Sequence, residues 1–304
     1  MKMNNCDARF FTSGNEPRGY IQPQTLEELW FHTGTNCNLR CPFCFEGSQP
    51  GDSRIEFLTL DDVRSFIDEA LDFGVKTFSF TGGEPFVNPN FLEILALALE
   101  YRPCLVLTNA TEPLIKRMAE VQRLRAKPKA LKFRVSLDDP DPVKHDELRG
   151  KGTFDKALTT LGTLYKAGFS VSVARRMKAE EDNADVDKAY AQILRTVGIE
   201  EDITIIKFPE FHLPGSLPYV PEITETCMTR YLNARQRERF MCNFSKMIVR
   251  KEGRCGVYAC TLVDDNKSYD LGPTLKCAMQ KRVMLGHHRC YACFACGTSC
   301  SEGD

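Results

Sequence analysis

The chain has 304 residues, 42% of them hydrophobic and 27% charged, and a formal net charge of -1. That balance excludes a globally basic nucleic-acid binder and leaves any charged partner to a local patch. The length suffices for one large core or for a main domain with an appendage. The first 19 residues hold no apolar run, so neither a signal peptide nor a membrane span is predicted and the expected compartment is the cytoplasm. Fourteen cysteines without an export signal point to metal or redox chemistry rather than to a disulfide framework.

Residues 29–33 read as a short β-rich run leading into a cysteine loop. Thr59 is placed to cap a helix in which Leu60, Val63, Phe66, Ile67, Ala70 and Leu71 recur at helical spacing, with Gly74 as its stop. Further strands are expected at 76–81, 105–108, 132–137, 170–173 and 203–206. Helices separate them, one opening at Pro89-Asn90 and others spanning 112–124, 154–168 and 184–197. Strict alternation of this kind implies parallel strands joined by crossovers, an α/β fold. The pattern breaks at Pro214-Gly215-Ser216-Leu217-Pro218, where a boundary is expected. Beyond it, Met247-Ile248-Val249 and Val257-Tyr258-Ala259 flank a turn at 251–254 and read as a β-hairpin. Nine cysteines crowd between Cys227 and Cys300, while Cys6 and Cys104 read as ordinary thiols.

The stretch Cys37-Asn38-Leu39-Arg40-Cys41-Pro42-Phe43-Cys44 brings three thiols to one face of a tight loop. Soft thiolates select iron-sulfur clusters, zinc or copper(I). Three are one short of a closed tetrahedral site, which leaves an open position, the mark of a reactive metal. One strand later comes Gly82-Gly83-Glu84-Pro85. These motifs resemble the radical S-adenosylmethionine (radical SAM) superfamily over residues 29–215. The resemblance implies a partial (β/α)6 TIM-like barrel, a 4Fe-4S cluster on Cys37, Cys41 and Cys44, and S-adenosylmethionine at the open iron. It also implies reductive cleavage of that cofactor to a 5'-deoxyadenosyl radical, which abstracts hydrogen from a substrate.

Loops after the strands of parallel barrels form the active face. By the resemblance, Gly82, Gly83, Glu84 and Pro85 receive the amino group of the cofactor's methionine moiety; glycines let backbone approach closely, and their carbonyls accept from an ammonium. Thr108 and Asn109 end strand three and either face the same pocket or form a turn. Ser136 and Asp138 match the family's place for the ribose hydroxyls and polar methionine groups. Arg149, or Arg175 or Arg176 after strand five, is placed to pair with the cofactor carboxylate or with a surface acid. Phe43 beside the last cysteine shields the cluster, and Phe208 packs near adenine or in the core.

Cys290, Cys293, Cys296 and Cys300 put four thiols within eleven residues, with Cys242, Cys255, Cys260 and Cys277 upstream. This layout resembles the SPASM and twitch extensions of radical SAM enzymes, which carry auxiliary four-iron clusters. The implied organisation is an extension at 1–28, the barrel at 29–215 and a small iron-sulfur domain with a β-hairpin at 216–304. At least one auxiliary 4Fe-4S cluster is expected from Cys242, Cys260, Cys290, Cys293 and Cys300, of which four need bind. Cys255, Cys277 and Cys296 are reserves for a second. A structural zinc is the alternative occupant. His287 and His288 are given no role, adjacent histidines on a polar stretch being usually solvated.

The expected function is therefore that of a radical SAM enzyme acting on a peptide or protein side chain, or on a small-molecule metabolite. Its partners are that substrate and a one-electron donor such as a flavodoxin or ferredoxin, with no membrane and no nucleic acid. A zinc-binding interaction protein without catalysis is the reading from a different class. Lys116, Arg117, Arg123, Arg125, Lys127, Lys129 and Lys132 form a basic stretch that either holds a peptide leader or RNA or is a solvated face. With about 28 residues ahead of strand one, a separate N-terminal leader-binding domain is not expected, which weakens the peptide reading without removing it. Catalytic acid, base and radical relay are not identified, although Tyr258 and Tyr291 are candidates for the relay.

Overall fold

The computed structural model describes residues 7–177, 181 and 183–297; Cys6 and Cys300 lie outside them. Its main feature is an eight-stranded sheet. Strand β1 (Glu28–His32) is followed by β2 (Thr77–Thr81), β3 (Cys104–Thr108), β4 (Leu131–Ser136), β5 (Ser170–Arg176) and β6 (Ile205–Phe208). Each pairs in parallel with the one before it. This run of six parallel strands in sequence order is the expected partial barrel. Helices Leu60–Asp72, Phe91–Tyr101, Thr153–Lys166 and Asn183–Thr196 return the chain between strands.

The hairpin does not stand apart from this sheet. It consists of β7 (Ser245–Lys251) and β8 (Arg254–Tyr258), and β7 pairs in parallel with the outer side of β1. Strand β1 thus lies between β2 and β7, and all five of its residues are buried. Met247, Ile248 and Val249 are buried beside it. Arg250 also bonds Asp62 at 2.7 Å and Glu56 at 3.2 Å, which ties the hairpin to the first crossover helix. The N-terminal strand pair Tyr20–Ile21 with Val283–Met284 is antiparallel and adds a second tie between the ends of the described chain.

Local sequence explains most of the boundaries. Thr59 and Asp62 form a reciprocal capping box at the first crossover helix, each side chain satisfying a backbone N–H that the helix leaves over. Two expectations need correction. The helix expected over 112–124 is two short helices, Glu112–Lys116 and Met118–Arg123, followed by a 3-10 turn. The break falls at Arg117, whose backbone leaves the helical region (φ -103°, ψ 8°) and whose guanidinium donates to the Asn88 carbonyl at 3.2 Å. A further helix, Pro142–Arg149, was not expected. Asp141 caps it by accepting from Val143 and Lys144, with Pro142 at its first position, the place where a missing N–H costs least. Among the described residues no helix is long and apolar enough to cross a membrane.

Candidate active site

The carboxyl ends of the parallel strands open into a cavity of about 1220 Å³, its open mouth included. Cys37, Cys41 and Cys44 all line it. Cys37 is buried, the other two are half-buried, and all three are free thiols. Backbone bonds fold the loop back on itself, Cys44 N–H donating to Cys41 O at 3.1 Å and Cys37 N–H to Gln49 O at 3.3 Å. Burial pushes all three thiols upward, Cys37 to about 12 with help from nearby Glu84. Arg149 favours the thiolate at Cys41 and Cys44 without offsetting that burial. Ionised sulfurs here require a bound cation, and a coordinating metal deprotonates thiols outright.

The Gly82-Gly83 turn is shaped by the neighbouring loop as well as by the cavity it lines. A Cβ on Gly82 would sit 2.6 Å from Gly34 O, and one on Gly83 would sit 2.5 Å from Asn36 O. The backbone N–H groups of Gly83 and Glu84 donate to these same carbonyls at 2.9 and 3.1 Å. The glycines are therefore needed first to let the turn lie against the cysteine loop. Glu84 and Pro85 do not line the cavity. Glu84 is buried and accepts from Asn109 N–H at 2.8 Å, Thr108 Oγ1 at 2.9 Å and Phe86 N–H at 3.2 Å. Burial raises its carboxyl to about 7 against those hydrogen bonds. Asn109 in turn donates from Nδ2 to Asn38 Oδ1 at 3.0 Å and contacts Cys37 Sγ at 3.8 Å. Glu84 and Asn109 thus carry the position of the second turn into the cysteine loop.

Phe43, Ser136, Asp138, Arg149, Arg176 and Phe208 also line the cavity. Asp138 accepts from Arg149 Nε at 2.5 Å and from the Arg176 N–H at 3.2 Å. The Phe43 ring lies under both guanidiniums, 4.4 Å from Arg176 and 5.5 Å from Arg149, a cation–π arrangement. Arg175 lines the cavity too, but its guanidinium is engaged elsewhere. It bonds Glu181 at 2.6 Å and Asn183 at 3.0 Å, so of this neighbouring pair Arg176 is the one stacked on Phe43.

A second, apolar cavity of about 340 Å³ lies in the tail and is lined by Cys242, Cys260, Cys290 and Cys293. Cys242 precedes the hairpin, Cys260 follows it, and the other two stand one turn apart on helix His288–Cys296. Phe240, Met241, Leu262, Val283 and Leu285 supply much of the remaining wall. Burial drives Cys242 to about 12 and Cys290 to about 11. Lys246 is fully buried and donates to the Cys242 carbonyl at 2.8 Å. Of the three reserve cysteines, Cys255 and Cys277 are not in this wall, and the side chain of Cys296 lies outside those described. Cys255 is on β8 near Asp62 and Arg250, and Cys277 is exposed on helix Leu275–Met279.

Sequence reasoning missed two features. His32, Glu46 and Asp264 form a buried set with ligand atoms mutually within 4.8 Å, and among the described residues this is the one such set of His, Cys, Asp and Glu side chains. His32 Nδ1 accepts from Gly34 N–H at 3.2 Å, which leaves Nε2 to donate to Glu46 at 3.3 Å. Arg289 is the other. Its guanidinium donates to Phe45 O at 2.7 Å, His212 O at 3.0 Å and Leu262 O at 3.0 Å, and so joins the tail helix to the loop beside Cys44. His287, expected to be solvated, is buried and lies 3.2 Å from Asp265.

Sulfurs around a tetrahedral zinc, with bonds of about 2.3 Å, lie about 3.8 Å apart. Three cysteine sulfurs at that spacing are not found among the described residues.

Residues 31–191 match the family described as the radical SAM superfamily. The antilisterial bacteriocin subtilosin biosynthesis protein AlbA of Bacillus subtilis (strain 168) is 32% identical over 170 residues, 55% of this chain and 36% of AlbA. The AdoMet-dependent heme synthase of Nitratidesulfovibrio vulgaris is 28% identical over 160 residues, 50% of this chain and 42% of that protein. The chain spans less than half the length of either relative. Streptococcus suis SuiB bound to its precursor peptide SuiA has a similar fold, with a TM-score of 0.59 at 14% identity over 90% of this chain and 65% of SuiB.

Proposed function

We propose that this chain, which belongs to the radical SAM superfamily, is an iron-sulfur enzyme whose Cys37, Cys41 and Cys44 hold the 4Fe-4S cluster that the superfamily uses with S-adenosylmethionine. The observation that supports the reading is three thiols, one buried and two half-buried, lining one cavity with the Gly82-Gly83 turn. When bound, the cluster and S-adenosylmethionine supply a 5'-deoxyadenosyl radical for hydrogen abstraction.

The chain's own residues bind and orient. Cys37, Cys41 and Cys44 would hold the cluster and leave one metal position open to the cofactor. The backbone carbonyls of Gly82 and Gly83, which line the cavity, would accept from the cofactor's amino N–H groups. Arg149, held by Asp138, and Arg176 flank Phe43 and present positive charge to the carboxylate. Ser136, Asp138 and Asn109 offer polar groups to the ribose and methionine, and Phe43, Phe45, Phe208 and Phe211 keep water from the reacting centre. Glu84 and Pro85 act through the turn they brace.

In residues 216–304, Cys242, Cys260, Cys290 and Cys293 form a complete set of four for an auxiliary 4Fe-4S cluster, closed to substrate. The substrate reading is a peptide or protein side chain. It is supported by a relative named for bacteriocin biosynthesis and by a structural neighbour solved with a precursor peptide. The similarity to a heme synthase supports a small-molecule substrate as the second reading. The proposed compartment is the cytoplasm.

The test is 5'-deoxyadenosine formation by the anaerobically reconstituted protein, given dithionite and S-adenosylmethionine. Product from the wild type and none from a Cys37→Ala, Cys41→Ala, Cys44→Ala variant is expected. Equal formation by both would refute the assignment.

A further inference from the structure

On the far side of the cysteine loop from the cavity lies an open groove of about 1180 Å³, solvent at its mouth included. Its wall toward the cavity is the loop itself, for Leu39 lines both spaces, as does Arg149. The groove lining carries Lys116, Arg117, Arg149, Lys151 and Lys156 against a single acid, Glu112. Glu112 pairs with Lys156 and Arg149 with Asp138. Lys116 and Lys151 are exposed, and so is Arg40 in the loop. Such a concentration of positive charge on a chain with a formal net charge of -1 is a local field, able to steer and orient an acidic partner.

We infer that this groove docks an acidic one-electron donor protein, which reduces the cluster site through the wall formed by Asn38 and Leu39. The inference rests on reading Cys37, Cys41 and Cys44 as cluster ligands. The step moves one electron: the donor is oxidised by one, the cluster is reduced by one, and no bond is made or broken in the transfer. Cofactor and substrate occupy the cavity, so the electron must enter from another side. Leu39 stands two residues from both Cys37 and Cys41. Asn38, which faces the groove, is joined by Asn109 to Cys37 Sγ. An acidic peptide would feel the same field, but a peptide lying here must turn around the Leu39 and Arg149 wall to offer a side chain to the cavity. An electron needs no opening.

The experiment uses the reconstituted holoenzyme, the Lys116→Glu, Lys151→Glu double variant, and an acidic flavodoxin as probe. Flavodoxin affinity is titrated by flavin fluorescence, and 5'-deoxyadenosine formation is followed with reduced flavodoxin and, separately, with dithionite. The variant is expected to bind flavodoxin about tenfold more weakly and to lose flavodoxin-driven turnover in proportion at subsaturating donor. Its dithionite-driven turnover stays at the wild-type level, and wild-type affinity weakens with added salt. Unchanged flavodoxin affinity overturns the inference. So does an equal fractional loss with both reductants, the result expected from an acidic-peptide site or a damaged fold. Absence of product from the wild type with dithionite would count against the proposed function instead, and the fluorescence titration would still decide the groove.

Discussion

His32 ends β1 with no exposed surface, and its hydrogen bonds fix its charge. A ring that accepts a backbone N–H at Nδ1 and donates from Nε2 is neutral. Burial lowers its pKa to about 4, against the opposing pull of Asp264. The unfolded ring titrates near 6.5, so between about 6.5 and 4 the unfolded chain binds the extra proton and stability falls as pH falls. The group's contribution is fully present above 6.5. At pH 5.5 the loss amounts to about 1.4 kcal/mol. Asp264, raised to about 8 by burial and by Glu46, acts in the opposite sense, losing stability as pH rises toward 8. Urea unfolding at pH 7.5 and 5.5 should show a smaller acid-side loss in His32→Gln than in the wild type. Equal losses would mean that the ring is charged in the folded chain. No local pattern marks His32: its partners Glu46 and Asp264 come from the cysteine loop and the tail, and only the fold joins them.

At the scale of elements, the turn after β2 is held from below by aromatic rings. Phe86 follows Pro85 in the 3-10 turn, is 2% exposed, and meets Phe91 at 5.0 Å and Phe133 at 6.5 Å. Phe80 and Phe31 continue the stack across β2 and β1. Truncation to Phe86→Ala should cost about 3–5 kcal/mol and loosen the turn bearing Gly82 and Gly83. Denaturant midpoints and S-adenosylmethionine affinity would both fall; an unchanged midpoint would show that the turn is not braced there. The alternation of strands and helices was legible because apolar residues recur at helical spacing in the crossover helices and β-rich runs lie between them. Helix Pro142–Arg149 was signalled by Asp141-Pro142 but is too polar for a periodicity signal, with His145 its one buried residue. The break at Arg117 depends on a carbonyl of a distant loop, which no helical pattern encodes.

For the whole molecule, the tail extends the barrel sheet, and Arg289 fastens its helix to the loop beside Cys44. The two groups of thiols therefore belong to one continuous framework. Both groups were legible from the spacing of the cysteines along the chain. The expected tail set of Cys242, Cys260, Cys290, Cys293 and Cys300 came from the resemblance, and four of these line one cavity; spacing alone does not join them, because Cys242 and Cys260 reach Cys290 and Cys293 through the hairpin's pairing with β1. Pairing of that kind is a property of the sheet rather than of any segment. The account's central claim is that each group holds a four-iron cluster, and iron, zinc and acid-labile sulfide counted per chain after anaerobic reconstitution test it most directly. About eight irons with matching sulfide are predicted, falling to about four in the Cys37→Ala, Cys41→Ala, Cys44→Ala variant and to about four in a Cys242→Ala, Cys290→Ala variant. One zinc per site, without sulfide, would contradict it.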